Sequence, residues 1–237
     1  MNKIYITGDT HGDQELMRDI ITKSAPNSGD TLIICGDFGF LFWNSPDEND
    51  YLDRLERLSI TFCFIDGNHE NFSAINAYPV EKWNGGKVHR IRRNIFHLMR
   101  GQIFNIEGKT FFTFGGAYSI DRWRRDRGYS YWDEELPNNE EYHEASRNLA
   151  ANGMKVDYII THTVPTSMIH RMGMIPVAED MELTGYLEWI LHETDFKHWY
   201  AGHWHMDKNL TDDFTLLLHE LVTPGNCVIS SENNGFE

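Results

Sequence analysis

The chain has 237 residues, 41% of them hydrophobic and 24% charged, which is enough apolar material to bury a sizeable core and too much to stay disordered. A formal net charge of −15 argues against a protein that coats nucleic acid through a generally basic surface. No apolar run reaches the roughly 18 residues of a membrane span, and Met1-Asn2-Lys3-Ile4-Tyr5-Ile6 meets Gly8-Asp9 without the apolar stretch of a secretory signal.

Taken along the chain, short apolar runs at Lys3 to Thr7, Thr31 to Cys35 and Phe62 to Ile65 read as buried strands that end in polar loops. Gln14 to Thr22 and Tyr51 to Leu58 place apolar residues three and four apart, so the chain opens strand-helix-strand-helix-strand, the start of a parallel α/β architecture. Cys35 and Cys63 fall inside the strand runs and Cys227 makes the number odd, so no disulfide framework is expected and a reducing, cytoplasmic compartment is. After Lys87 the runs become strand-like. Gln102 to Ile106 and Thr110 to Phe114 flank Asn105-Ile106-Glu107-Gly108-Lys109, which predicts a hairpin and, with it, a second sheet. Asn138 to Asn152 reads as a polar helix closed by Gly153, Asp157 to Thr161 as a strand ending in His162, and Glu179 to His192 as a helix. His198 to Ala201 reads as a strand ending in Gly202-His203, and Phe214 to Leu218 with Glu220 to Val222 as a terminal strand pair. No repeat or linker divides the chain, so residues 1–237 are expected to form a single domain.

Side chains at the carboxyl ends of neighbouring strands in an open α/β sheet meet in one crevice. Here those ends carry Asp9 and His11 (Gly8-Asp9-Thr10-His11-Gly12), Asp37 (Gly36-Asp37), Asn68 and His69 (Gly67-Asn68-His69-Glu70), His162, and His203 and His205 (Gly202-His203-Trp204-His205). Carboxylates and imidazoles without thiolates suit Mn, Fe or Zn, with Mn favoured, and the set is long enough for two divalent ions. An Asp-x-His pair in extended chain turns both side chains the same way, so Asp9 and His11 are expected to hold one ion together, and His203 and His205 to stand in the same relation. Two ions about 3.5–4 Å apart need a shared anionic ligand, and Asp37, on the loop between the others, is the expected bridge. Gly8, Gly36, Gly67 and Gly202 are expected to allow close approach and unusual dihedrals at the strand ends. His89, His97, His143, His170, His192, His198 and His219 lack such surroundings and read as structural or solvent-exposed.

In this order the motifs resemble those of the calcineurin-like metallophosphoesterases: Asp-x-His, Gly-Asp, Gly-Asn-His-(Asp/Glu), a lone His and Gly-His-x-His, running from Asp9 to His205. The resemblance implies a two-sheet β-sandwich flanked by helices. It assigns Asp9, His11, Asp37 and His205 to one metal, and Asp37, Asn68, His162 and His203 to the other. His69 matches the catalytic histidine, which contacts phosphate and protonates the leaving group; its ordinary pKa near 6.5 suits a general acid. The implied activity is phosphoester hydrolysis by a hydroxide bridging the two metals. Ser/Thr protein phosphatases of this superfamily read Gly-Asp-x-x-Asp-Arg-Gly at the second motif. Here the chain reads Gly36-Asp37-Phe38-Gly39-Phe40-Leu41-Phe42, so that Asp and Arg are missing and protein phosphatase activity stands only as an alternative. Small phosphomonoesters and a non-catalytic binding module on the same fold are further alternatives.

A missing phosphate-binding arginine needs another source. Lys82 to Arg127 holds eleven basic residues against three acidic ones, either a solvated face or an electropositive wall beside an anion site. Within it, Gly115-Gly116-Ala117-Tyr118-Ser119-Ile120-Asp121 is similar to a segment of bacterial and phage members of the superfamily, and it runs into Arg122 and Arg125, the expected substrate contacts. Trp123, Tyr129, Tyr131 and Trp132 crowd the same stretch. Aromatics among arginines can stack on a base, which ranks nucleotide or nucleic-acid phosphodiesters ahead of small phosphomonoesters; no membrane partner is expected.

Overall fold

A computed structural model describes residues 2–226; Cys227 lies outside the described residues. The first half builds β1 (Ile4–Thr7), α1 (Gln14–Ser24), β2 (Thr31–Ile34), α2 (Pro46–Glu56), β3 (Thr61–Phe64), α3 (Phe72–Ile75), β4 (Val80–Trp83), β5 (Gly86–Arg92) and β6 (Ile95–Leu98). These strands form one sheet in the order β1-β2-β3-β6-β5-β4, parallel from β1 to β6 and antiparallel beyond. The second half supplies β7 (Gln102–Ile106), β8 (Lys109–Phe114), α4 (Asn139–Ala151), β9 (Tyr158–Thr161), α5 (Thr166–Arg171), α6 (Met181–Glu193), β10 (His198–Ala201), β11 (Lys208–Thr211) and β12 (Phe214–Leu216). Its sheet runs β11-β12-β10-β9-β8-β7, with β12, β10, β9 and β8 parallel and an antiparallel strand at each edge.

Period-two side-chain alternation makes this a sandwich. Ile4 and Ile6, Ile33 and Cys35, Cys63 and Ile65 face Phe111, Ile160 and Tyr200 of the other sheet in a shared core. The intervening Tyr5, Leu32, Ile34, Phe62 and Phe64 turn outward under α1 and α2, while Phe112, Ile159 and Trp199 are covered by α4 and α6. Strands buried on both faces read as continuous apolar runs, which is why β1, β2 and β3 are visible in the sequence.

Local chemistry explains most of the boundaries. The β7–β8 hairpin pairs Ile106 with Lys109 across Glu107 and Gly108, both at positive φ, as a two-residue loop requires. Helix α2 starts five residues before the expected Tyr51, because Ser45 caps it in a capping box with Glu48 and Pro46 opens the first turn. One expectation is corrected at the end of the chain. Glu220 to Val222 forms no strand; Val222 makes only an isolated bridge to Ile6, and β12 pairs instead with β11, which the polar Lys-Asn-Leu-Thr run hid.

Candidate metal centre

The parallel strands of both sheets end at one rim of the sandwich. There β1, β2 and β3 deliver Asp9, Asp37 and Asn68, while β9 and β10 deliver His162 and His203. The loops are stitched together before any ligand is considered. Thr10 and His11 donate their backbone N–H groups to the Asp37 carbonyl at 3.1 and 2.7 Å, and Gly202 donates to the His162 carbonyl at 3.0 Å. His69 N–H donates to Asp37 Oδ1 at 2.7 Å, and His203 N–H lies 3.1 Å from both Asp9 carboxylate oxygens. A methyl group on Gly36, which sits at φ 101°, would overlap the His162 ring, and one on Gly67 would overlap the Asp37 carboxylate. At those two strand ends only glycine lets the next motif close in.

The donors gather in two clusters. In the first, His11 Nε2 lies 3.1 Å from His205 Nε2, 3.8 Å from Asp9 Oδ2 and 3.8 Å from Asp37 Oδ2, with His205 Nε2 3.4 Å from Asp9 Oδ2. In the second, Asn68 Oδ1 lies 3.0 Å from both His162 Nε2 and His203 Nδ1, and His162 Nε2 lies 3.4 Å from Asp37 Oδ2. One atom, Asp37 Oδ2, therefore faces both. Asp9, His11 and His205 form a group compact enough to hold a metal ion, as do Asp9, Asp37 and His162.

The expectation of extended-chain geometry is corrected here. His11, Asp37, His203 and His205 all adopt left-handed backbone, with φ of 47°, 48°, 66° and 48°. Tight turns, rather than strand alternation, bring Asp9 and His11 together, and they send His203 and His205 to different clusters. Non-glycine residues in this region each cost about 1–2 kcal/mol, a strain tolerated where function requires the geometry.

Hydrogen bonds set the donors' orientation for a cation. His162 Nδ1 is 2.8 Å from the Cys35 carbonyl and donates to it, which leaves Nε2 as the nitrogen facing the cluster. Asn68 Nδ2 donates to Ser119 Oγ at 2.9 Å, which fixes the amide with its oxygen toward His162 and His203. The pocket's field is strongly negative. Although burial opposes it, the charges of Asp37 and Asp9 raise His162 to about 10. Burial would likewise raise Asp37, but His162, with His69 and His11, holds that carboxyl far below the usual range. Burial, then the charge on His162, pushes His203 down to about 3. Oxygen and imidazole donors in a field that favours positive charge fit divalent cations.

His69 lies beside the clusters, its ring centroid 5.4 Å from that of His11. Burial, followed among the opposing influences by Arg125, lowers its pKa despite the pull of Asp37, so its ordinary value near 6.5 is not kept. A guanidinium nitrogen of Arg125 lies 3.0 and 3.1 Å from the two His69 ring nitrogens. Arg122 points elsewhere: its Nε donates to Glu135 Oε2 at 3.0 Å, and its guanidinium lies 4.6 Å above the Tyr118 ring. The pair is thus split, with Arg125 lining the cavity over the centre and Arg122 bound to a buried carboxylate. The basic stretch as a whole is not a free wall, since Lys87, Arg90, Arg92, Arg100 and Arg127 also pair with carboxylates, as does Arg125 Nε with Asp121. The aromatic stretch divides too: Trp132 is buried and donates to Ser73 Oγ at 2.8 Å, whereas Trp123 and Tyr129 are exposed.

The site is braced by residues to which the sequence motifs assign no role in it. Asp66, just before Gly67-Asn68-His69, accepts from Arg100 Nε at 2.7 Å and lies 3.0 Å from His97 Nε2; its carbonyl accepts from Gly116 N–H at 2.9 Å, which joins the Asn68 loop to the Gly115 segment, and Arg100 also donates to the Glu134 carbonyl. Although burial opposes it, Arg100 holds Asp66 down to about 2. Glu70 Oε1 accepts from Phe38 N–H at 2.7 Å, and burial, then the Asp37 charge, pushes its carboxyl well above the ordinary range.

With this geometry in view, a family model described as calcineurin-like phosphoesterase matches residues 2–207. The chain belongs to that family, and it is accordingly a metallophosphoesterase, a hydrolase of phosphoester bonds that works with divalent metal ions. No curated protein matches the sequence significantly. No helix among the described residues is long and apolar enough to cross a membrane.

Proposed function

We propose that the protein hydrolyses phosphoesters with two divalent cations, one held by Asp9, His11, Asp37 and His205 and the other by Asp37, Asn68, His162 and His203. The observation that carries this reading is the position of Asp37 Oδ2, 3.8 Å from His11 Nε2 and 3.4 Å from His162 Nε2. Cations bound there, Mn first among Mn, Fe and Zn, would lower the pKa of a bound water and offset charge on the phosphoryl oxygens. Arg125 binds the phosphate, since its guanidinium already lies against His69 on the cavity side. His69 serves the departing oxygen, as its ring lines the same cavity. Nucleotide-type diesters rank ahead of small monoesters. Free, buried Cys35 and Cys63 suit the cytoplasm.

The test combines metal analysis with turnover of bis(p-nitrophenyl) phosphate and p-nitrophenyl phosphate under Mn²⁺. Expected are two metal equivalents per chain and faster turnover of the diester. His69→Ala should keep both equivalents while lowering kcat by about 10²–10⁴-fold. Stoichiometric metal with no turnover of either ester would overturn the catalytic reading.

A further inference from the structure

The metal centre opens on two sides. On one lies a cavity of about 360 Å³ whose lining includes Phe42, Trp43 and Glu48 together with His11 and His69. On the other, a cavity of about 600 Å³ has Asp37, Asn68 and His203 at the centre and an apolar wall that includes Ile120, Met174, Ile175 and Val177. His69 lines both. A phosphoryl group beside His69 therefore has room for an organic substituent in two directions, and a monoester fills only one.

We propose that the substrate is a small phosphodiester whose two arms straddle His69, one a planar ring over Trp43 and the other an apolar group against Ile120, Met174 and Ile175. This rests on the phosphoesterase reading above and adds the substrate class. Trp43 is 58% exposed and Ile175 85% exposed, so large apolar side chains stand in water at the mouths of both cavities, as binding surfaces do. The indole is held in place. The Phe42 ring packs edge-on at 4.9 Å, Tyr129 lies tilted at 5.7 Å, and the Trp43 backbone N–H donates to Glu48 Oε1 at 3.0 Å. A fixed, exposed indole stacks a planar ring without first paying for its own ordering.

Charge selects a small diester over a polymer. Among the described residues lining either cavity, Arg125 alone is a Lys or Arg; its Nε pairs with Asp121 Oδ1 at 3.0 Å while Nη2 lies against His69, and Arg122 and Arg127 are paired with Glu135 and Asp133. One guanidinium serves the scissile phosphate and leaves no basic track for successive phosphates of a nucleic acid. Hydrolysis adds water across one P–O bond; the products are a phosphomonoester and an alcohol.

Steady-state kinetics on the Mn²⁺-loaded enzyme test this with Trp43→Ala and Ile175→Ser, both at exposed positions that leave the core untouched. Each substitution is expected to raise KM for bis(p-nitrophenyl) phosphate by about fivefold or more, and no more than one of them to raise KM for p-nitrophenyl phosphate, which has a single arm. If either variant keeps the diester KM within twofold of wild type, the two-arm assignment is overturned. Inhibition by single-stranded DNA at concentrations below the diester KM would overturn the small-substrate assignment. A wild-type protein that binds two metals and turns over neither ester would sink the phosphoesterase reading itself, an outcome distinct from turnover with unmoved KM.

Discussion

Around the shared Asp37 carboxylate, the His162 side chain is fully buried, whereas those of His11 and His205 are 36% and 58% exposed. The buried cluster is set by packing between the sheets. His162 is locked to the Cys35 carbonyl and Asn68 to Ser119, and both sit where β3 and β9 end. The exposed cluster is set by backbone turns: His11 and His205 reach each other from left-handed residues on two surface loops. Burial fixes donors by excluding alternatives, while a strained turn fixes only the Cα–Cβ direction and leaves the ring free to swing. The two halves of the centre should therefore differ in how readily they release a cation.

The largest expected effect ignores that difference. Asp37→Asn removes the carboxylate common to both clusters, and metal analysis should find both equivalents lost with kcat/KM down by about 10³-fold or more; retention of one equivalent would mean that Asp37 does not bridge. Next, His162→Ala should cost more than His205→Ala, by roughly tenfold in kcat/KM, because outside waters can replace an exposed imidazole but not one inside the core. Equal losses would break the comparison. A smaller effect sharpens it: chelator added to the wild-type holoenzyme should withdraw metal in two phases, and His205→Ala should abolish only the faster one.

The sequence made the donors legible because each follows an apolar strand, all but His162 with a glycine between, and strands buried on both faces announce themselves. Only the family resemblance assigned the histidines; spacing alone could not say which of them joins which cluster. That depends on left-handed turns at His11, His203 and His205, and neither Asp-x-His nor His-x-His spacing records a φ angle. The choice between Arg122 and Arg125 was hidden for a similar reason, since the two flank one short helical turn, Arg122–Arg124, and rotation about it decides which faces His69. Strands β4 and β5 were missed because β4 is a half-exposed edge and β5 mixes Lys, His and Arg with its apolar residues. In β6, His97 breaks an apolar run yet is buried, because Asp66 waits for it from the neighbouring β3 end. Long-range partners of this kind leave no local signal.

The buried side of the centre also carries a carboxyl that its surroundings do not balance. Asp180 is 5% exposed and lines the larger cavity with Asn68 and His203. Among the described residues its carboxyl accepts from the Tyr118 backbone N–H, at 3.2 Å, and burial raises its pKa to about 6. The unfolded chain would titrate it near 3.9, so between about pH 4 and 6 the folded state binds more protons and stability falls as pH rises. Above about pH 6 the loss is complete. Asp180→Asn removes the charge while keeping the shape, and denaturant unfolding should show a gain of about 2–3 kcal/mol at pH 7.5 and none at pH 3.5. A gain of the same size at both pH values would place the effect in packing. No gain at pH 7.5 would mean that a charged partner, such as a cation in the adjacent buried cluster, already compensates the carboxylate; repeating the measurement after chelation then restores the difference if that is so.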